Sequence, residues 1–218
     1  METRRTTRTG TPQGKERFLI TTEARSLKPK VESFLENFKK LQADIAVVTE
    51  TWLKDNQVHE LADELLNGDG LGLLTKNRQA LQNCVSYGGV AVVWRESRGT
   101  FKEIRIRKPD RYEVLAATGS IRGHSRKFVV VACYLPPCYT VSRGRGALDH
   151  LENVIIGVKS RYNDPYLIIV GDFNQWKIGR VMDNFADLRE VKVGNTRGGK
   201  AIDKFFTNVS WSVEAAGM

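Results

Sequence analysis

Hydrophobic and polar positions follow two different periods along the chain, and the alternation between them outlines a layered fold. Val31, Phe34, Leu35, Phe38 and Leu41 recur three and four residues apart, with Glu32, Glu36, Lys39 and Lys40 between them. That is the spacing of one helical face, so an amphipathic helix is predicted after a short apolar strand at 18–21. Residues 44–49 (DIAVVT) form a run rich in β-branched side chains that closes directly on Glu50, which suits a strand covered on both faces. Residues 58–67 predict a short helix, and 71–75 open a region of β patterns. Strands are predicted at 89–94, 100–106, 113–121 and 127–135, separated by Gly, Pro or charged turns. Leu148, Leu151, Val154, Ile155, Val158 and Tyr162 trace a second amphipathic helix, which feeds a buried-type strand at 166–170 ending in Gly171 and Asp172. Val181, Phe185 and Leu188 predict a shorter third helix, and 201–207 a late strand.

Strands outnumber helices, and the helices interrupt the strand series without alternating strictly with it. The pattern implies an α/β sandwich of several layers, sheet packed on sheet with helices outside. No repeat or linker divides the 218 residues, a length that suits one domain. The longest apolar stretches are strand-sized, far short of the roughly 20 residues that span a bilayer, so no membrane association is expected. Residues 1–17 are polar throughout and lack the apolar block of a secretory signal, which predicts a flexible basic arm and an intracellular, reducing setting. Cys84, Cys133 and Cys138 are odd in number and form no CxxC pair, so they read as core or loop thiols with no disulfide-linked partner.

Charge narrows the choice of partner. The net charge of +9 and sequence pI near 9.6 favour a polyanion, because clustered Lys and Arg release counterions from phosphates. The density is highest between Arg98 and Arg111, where Arg98, Lys102, Arg105, Arg107, Lys108 and Arg111 face only Glu103 and Asp110. A solvated strand face accounts for that cluster about as well as a nucleic-acid groove does.

Two buried-type strands finish in acids, one at Glu50 and one at Asp172 with Asn174 two residues on. In layered α/β folds such strand ends gather functional groups, and two of them can face one cleft. Asp172 and Asn174 project to the same side if the extended geometry continues. Gly171 permits a turn or close approach by a neighbouring backbone. Carboxylate and amide oxygens without histidine or thiolate partners suit a hard cation such as Mg²⁺ or Mn²⁺, and phosphodiester hydrolysis is the natural reaction for such a set.

ETWL at 50–53, GGVAVV at 88–93, ACYLPP at 132–137, GDFN at 171–174 and AIDKFF at 201–206 occur in that order. Together they resemble the endonuclease/exonuclease/phosphatase superfamily, and most closely the apurinic-endonuclease-like domain of non-LTR retrotransposon polyproteins, over roughly residues 18–215. The resemblance implies a four-layer α/β sandwich, two packed β-sheets flanked by helices, formed by residues 18–218. It implies a Mg²⁺- or Mn²⁺-dependent endonuclease that nicks DNA to prime reverse transcription, in the nucleus if it acts on chromosomal DNA.

By the same resemblance Glu50 ligates the metal and Tyr134 contacts the scissile phosphate. Asp172 positions or activates the attacking water, Asn174 holds that acid and the phosphate, and Asp203 orients a catalytic histidine. Thr196, with Arg197 beside it, and Arg25 are the residues expected to approach DNA. Gly88 and Gly89 are assigned to backbone packing.

Two departures from the family pattern stand out. Glu23 occupies a position where the family usually has asparagine. An extra carboxylate there can join the metal ligands, but it repels phosphate, so altered metal use is expected. The Ser-Asp-His segment that closes the family pattern does not follow Asp203, so the carboxyl-terminal strand carrying it is expected to be missing. His59, His124 and His150 are expected on the surface or in loops. These departures weigh against turnover by this chain and favour, as an alternative, a nucleic-acid-binding remnant of the nuclease; a small-molecule phosphatase stays open because fold does not fix substrate, though the basic charge and the motif wording disfavour it. No Tyr/Phe-x-Asp-Asp signature of a reverse transcriptase occurs.

Overall fold

The computed structural model describes residues 18–21, 24–77, 88–105, 112–137, 139–191 and 203–209. The arm at 1–17, Glu23, Cys84, Cys138, Thr196 and Arg197 lie outside the described residues.

Two sheets pack face to face. The first has four strands in the order β1 (Phe18–Thr21), β2 (Ile45–Thr49), β4 (Val90–Arg95) and β3 (Leu71–Lys76). The second has six, in the order β5 (Gly99–Glu103), β6 (Glu113–Ile121), β7 (Phe128–Tyr134), β8 (Tyr166–Asp172), β10 (Asp203–Thr207) and β9 (Arg189–Val191). Between the sheets lies an apolar layer in which Ile45 and Val47 of β2 and Val90 and Val92 of β4 meet Val130 and Ala132 of β7, Ile168 and Val170 of β8, and Phe205. The alternate residues of the same strands face outward. Ala46, Val48, Ala91 and Val93 pack under α1 (Val31–Lys40) and α2 (Asp55–Asp69). Val129, Val131 and Cys133 pack under α3 (Val141–Arg161) and α4 (Gly179–Met182). This is the four-layer sandwich, and it explains why β2 and β7 read as unbroken apolar runs, since both of their faces are covered. Among the described residues no helix is long and apolar enough to cross a membrane.

Several boundaries differ from the sequence expectation, each for a packing reason. α3 begins at Val141, well before Leu148, because its first turns present Gly144 and Ala147 inward in place of large apolar residues. A Cβ at Gly144 would collide with the Trp176 ring, and one at Gly146 with the Tyr112 hydroxyl, so aromatic residues from other elements fill the space that a periodic pattern would have filled. α4 covers only four residues, and Phe185 and Leu188 reach the core through successive turns, Phe185 N–H to Met182 O and Leu188 N–H to Phe185 O at 2.9 Å each. Those turns repeat every three residues and therefore imitate helical spacing. β9 gives no hydrophobic signal because two of its three residues are exposed at a sheet edge. His150 is buried, contrary to its expected place on the surface or in a loop. It lies on the inner face of α3, with its ring 5.4 Å from that of Tyr112. Within the basic stretch that begins at Arg98, Arg98 Nε donates to Asp44 Oδ1 at 3.1 Å and Lys102 is exposed, while Arg107, Lys108 and Arg111 lie outside the described residues.

Cys133 is a free, fully buried thiol, and burial pushes its pKa well above the ordinary range, so it is an inert core residue. Its backbone also explains Gly171. The two residues are register partners on the parallel strands β7 and β8, and a Cβ at Gly171 would strike the Cys133 carbonyl oxygen. Gly171→Ala is therefore expected to lower the unfolding free energy by roughly 2–3 kcal/mol, the upper part of the overpacking range, because a backbone atom cannot rotate away. Urea denaturation of the two proteins checks this, and equal midpoints would contradict the close approach.

Candidate active site

The candidate residues arrive at one mouth of the inter-sheet layer through strand register. Tyr134 is the β7 partner of Asp172 on β8, and Asp172 is the β10 partner of Asp203. Because side chains alternate, Asp172 shares the face of Ile168 and Val170, and Asp203 that of Phe205, so all three point toward the four-stranded sheet. Strands lie roughly 4.8 Å apart, which sets the row Tyr134, Asp172, Asp203 across about 10 Å. From the opposite sheet Glu50 follows the last residue of β2, and the Tyr134 hydroxyl donates to Glu50 Oε1 at 2.6 Å. Glu50 is half-buried, whereas Asp172 and Asp203 are each 1% exposed.

Glu50 is held there by a strained and over-determined backbone. It has φ 53° and Trp52 has φ 50°, a conformation that bulky residues rarely adopt. Hydrogen bonds from two neighbouring loops fix it. Ser26 N–H donates to Glu50 O at 3.1 Å and Leu27 N–H to Thr51 O at 2.8 Å, while Trp52 N–H donates to Gly88 O at 2.9 Å. Gly88 and Gly89 have φ 138° and 89°, which accounts for the glycine pair that the sequence assigned to backbone packing. Arg25 is exposed on the first of these loops, next to the residue that binds the Glu50 carbonyl.

Asn174 occupies a different geometry from the extended one expected. With φ 47° it sits in a turn, where its N–H donates to Asp172 Oδ1 at 2.8 Å and its Nδ2 donates to Leu135 O at 3.1 Å. The turn thus fixes one carboxylate oxygen of Asp172 and ties the loop after β8 to the loop after β7. Trp176 adds a second tie, its Nε1 donating to Pro136 O at 3.1 Å. Sequence reasoning overlooked Trp176 and also Glu113, which extends the row as the β6 partner of Tyr134. Glu113 is 3% exposed and accepts the Tyr139 hydroxyl at 3.1 Å. Its only sequence signal was an acid opening an otherwise apolar strand.

Among the described residues no group of three or more His, Cys, Asp or Glu gathers as metal ligands. Mg²⁺ does not need such a cage, since it keeps several waters and takes one or two carboxylates plus a substrate phosphate. An oxygen-only donor set that includes the half-buried Glu50 fits that requirement. Of the three histidines, His150 packs in the α3 layer against Tyr112. His124 sits edge-on to Phe128 and Tyr166, at the start of β7 and β8 and so at the opposite end from Tyr134. His59 is exposed on α2.

Two packed sheets opening on a mouth of carboxylates and a tyrosine define an α/β sandwich of the kind whose members hydrolyse phosphate esters. The chain belongs to the endonuclease/exonuclease/phosphatase family, whose model matches residues 17–218. Enzymes of this family hydrolyse phosphodiesters and phosphate esters, a 3′-5′ exonuclease among them, and commonly use divalent metals. Solved structures share the fold at low identity. The 3′ phosphatase NExo from Neisseria, bound to a product DNA hairpin, is 18% identical with a TM-score of 0.58, over 86% of this chain and 85% of that one. The mannosyl-6-phosphatase of Bacteroides thetaiotaomicron is 12% identical with a TM-score of 0.64, over 90% and 87%. Danio rerio TDP2 complexed with single-strand DNA product is 15% identical with a TM-score of 0.57, over 86% and 82%. Comparison with curated proteins finds no match.

Gly89→Ala tests the backbone clamp. A Cβ there would sit 2.6 Å from Thr51 Oγ1, at a φ that L-residues avoid. The substitution is expected to lower stability by roughly 1–2 kcal/mol from the left-handed backbone alone, with further loss from the contact. Thermal unfolding measures it, and an unchanged midpoint would show that the clamp does not constrain residues 50–52.

Proposed function

We propose that the protein is a divalent-cation-dependent phosphodiesterase that nicks one strand of DNA, and that it descends from the endonuclease domain of a non-LTR retrotransposon, where such a nick primes reverse transcription. The observation that carries this reading is the convergence of Glu50, Tyr134, Asp172 and Asp203, from two different sheets, on one mouth. The order of the five motifs supports the lineage. The net charge of +9 supports a polyanionic substrate, and two of the structural relatives bear DNA by their own descriptions.

The chemistry follows from the positions. Carboxylates gathered at one mouth repel one another until a cation or proton is shared among them. Glu50 would hold the cation, with its Oε1 oriented by the Tyr134 hydroxyl. A bound Mg²⁺ or Mn²⁺ supplies polarisation of the phosphoryl oxygen and charge for the departing oxyanion. Tyr134 presents its phenolic oxygen to the scissile phosphate from the same place. Asp172 takes the proton of the attacking water, its carboxylate plane fixed at Oδ1 by the Asn174 N–H. Asn174 keeps the loops after β7 and β8 together while the phosphate occupies the mouth. Asp203, two strands from Tyr134, adds negative charge behind Asp172.

Incubation of the 218-residue chain with supercoiled plasmid and Mg²⁺ tests the proposal. Open-circular product is expected, with Glu50→Gln and Asp172→Asn each slowing its formation by roughly 100-fold or more, the scale of a lost acid–base or metal-binding group. Plasmid that is bound but stays supercoiled with both Mg²⁺ and Mn²⁺ would replace the nuclease by a nucleic-acid-binding domain. Faster release of phosphate from inositol or sugar phosphates than nicking of DNA would make it a phosphatase.

A further inference from the structure

A second polar cleft lies at the other end of the six-stranded sheet, beside β5, the end of β6 and the residue that follows α3. It encloses about 420 Å³ and is lined by Thr100 and Lys102 of β5, Thr118 and Ser120 of β6, Lys127 and Tyr162, with Phe101 and Gly119 contributing their strand backbone. Thr100 pairs with Ser120 and Lys102 with Thr118 across the antiparallel ladder. The four side chains therefore stand together on the face that also carries Ala116, the outer face of this sheet. β7 runs from Phe128, next to Lys127, to Tyr134, six residue steps or on the order of 20 Å, so the cleft is separate from the mouth at Glu50.

Three features give this cleft a ligand. Lys102 and Lys127 are both exposed, no carboxylate lines the cleft, and neither lysine forms an ion pair among the described residues. The Lys127 ammonium is held in place by donating to Ser120 Oγ at 2.6 Å, which uses one of its three protons. Thr118 is only 5% exposed, and among the described residues its buried Oγ1 has no hydrogen-bond partner, an arrangement that is costly unless an acceptor is supplied. The floor is rigid as well. A Cβ at Gly119 would lie 2.6 Å from the Phe101 ring, so β5 and β6 approach closely only because that position is glycine. Two point charges and three hydroxyls on a fixed floor suit a tetrahedral oxyanion with several acceptors. Planar carboxylates are more often gripped by the arginine fork, which the lining lacks.

We propose that this cleft is a second phosphate-binding site, separate from the candidate active site, that takes the phosphate group of a small ester. Lys102 and Lys127 neutralise its charge, and the hydroxyls of Thr100, Thr118 and Ser120 donate to its oxygens. The volume exceeds that of a bare phosphate, and Tyr162 offers a ring edge to the organic part of the ester. The site does not depend on catalysis at Glu50.

Amide NMR of the isotopically labelled chain, titrated at constant ionic strength with inorganic phosphate, with a deoxynucleoside monophosphate and with acetate, tests this. Saturable shifts centred on Thr118, Ser120 and Lys127 are expected for the two phosphates and not for acetate. The affinity should fall at least tenfold in a Lys102→Ala, Lys127→Ala double variant and severalfold in Thr118→Val, which keeps the side chain's shape. Plasmid nicking serves as the independent readout, since these variants touch none of the residues at the mouth and should leave it unchanged. A short DNA duplex that moves the same amides while the small phosphates do not would put the phosphate on a polymer and overturn the small-ester assignment. Equal shifts in the double variant and the parent, equal shifts with acetate, or shifts centred on Glu50 would each overturn the site.

Discussion

The hydrogen bond from the Tyr134 hydroxyl to Glu50 Oε1 is the interaction on which the candidate site depends, because it joins the two sheets at the end where the strand-terminal acids gather. Tyr134 belongs to the six-stranded sheet and Glu50 follows the last strand of the four-stranded one. Neither sheet alone contains the site. Their relative position is set by the apolar layer between them, where residues such as Val47, Val92, Val130 and Val170 are at most 3% exposed. Interiors packed at this density have two consequences: they hold distances well, and they transmit strain from one change to the next. A side chain misplaced in that layer would therefore be felt at the mouth as a shift of one carboxylate relative to another.

The backbone of the loops around the mouth departs from regular structure, whereas Tyr134, Asp172 and Asp203 are aimed by regular strands. Arg25, Ser26, Glu50, Trp52 and Asn174 all have positive φ, and all lie in the loops that converge there. Each such residue costs about 1–3 kcal/mol, so the conformation persists only if surrounding interactions over-determine it. The surroundings do so here. The loop at 24–27 donates to the carbonyls of Thr49, Glu50 and Thr51, the Gly88–Gly89 turn accepts from Thr51 and Trp52, and Asn174 and Trp176 donate to the loop after β7. The regular sheets supply the reference frame, and the strained loops supply direction.

Fold and chemistry constrain function to different degrees. The same sandwich is found in a mannosyl-6-phosphatase and in proteins bound to DNA product, so architecture alone leaves the choice of substrate open. Under the proposed reading, the carboxylates and tyrosine at the mouth act on a phosphate ester. The net charge of +9 supports the proposed polyanionic substrate over a small sugar phosphate through long-range attraction, with no shaped pocket required.

Most of the framework was legible in the sequence because burial on both faces writes itself as continuous apolar runs. β2, β6, β7 and β8 were readable for that reason, and α1 was readable from its three-and-four spacing. The acids at the ends of β2 and β8 were readable as strand-terminal groups. Elements that carry no such signal were not. The first turns of α3 hide behind two glycines, β9 is exposed, and the turns after α4 mimic a helix, so local pattern was silent or misleading there. Tertiary structure alone decided that His150 is buried against Tyr112, that Asn174 turns back on Asp172, and that Glu113 joins the row beside Tyr134. The physical reason is that sequence records what each residue prefers next to its chain neighbours. Which groups meet is set by strand register and sheet-on-sheet packing, which bring together residues as far apart in the chain as Glu50 and Tyr134.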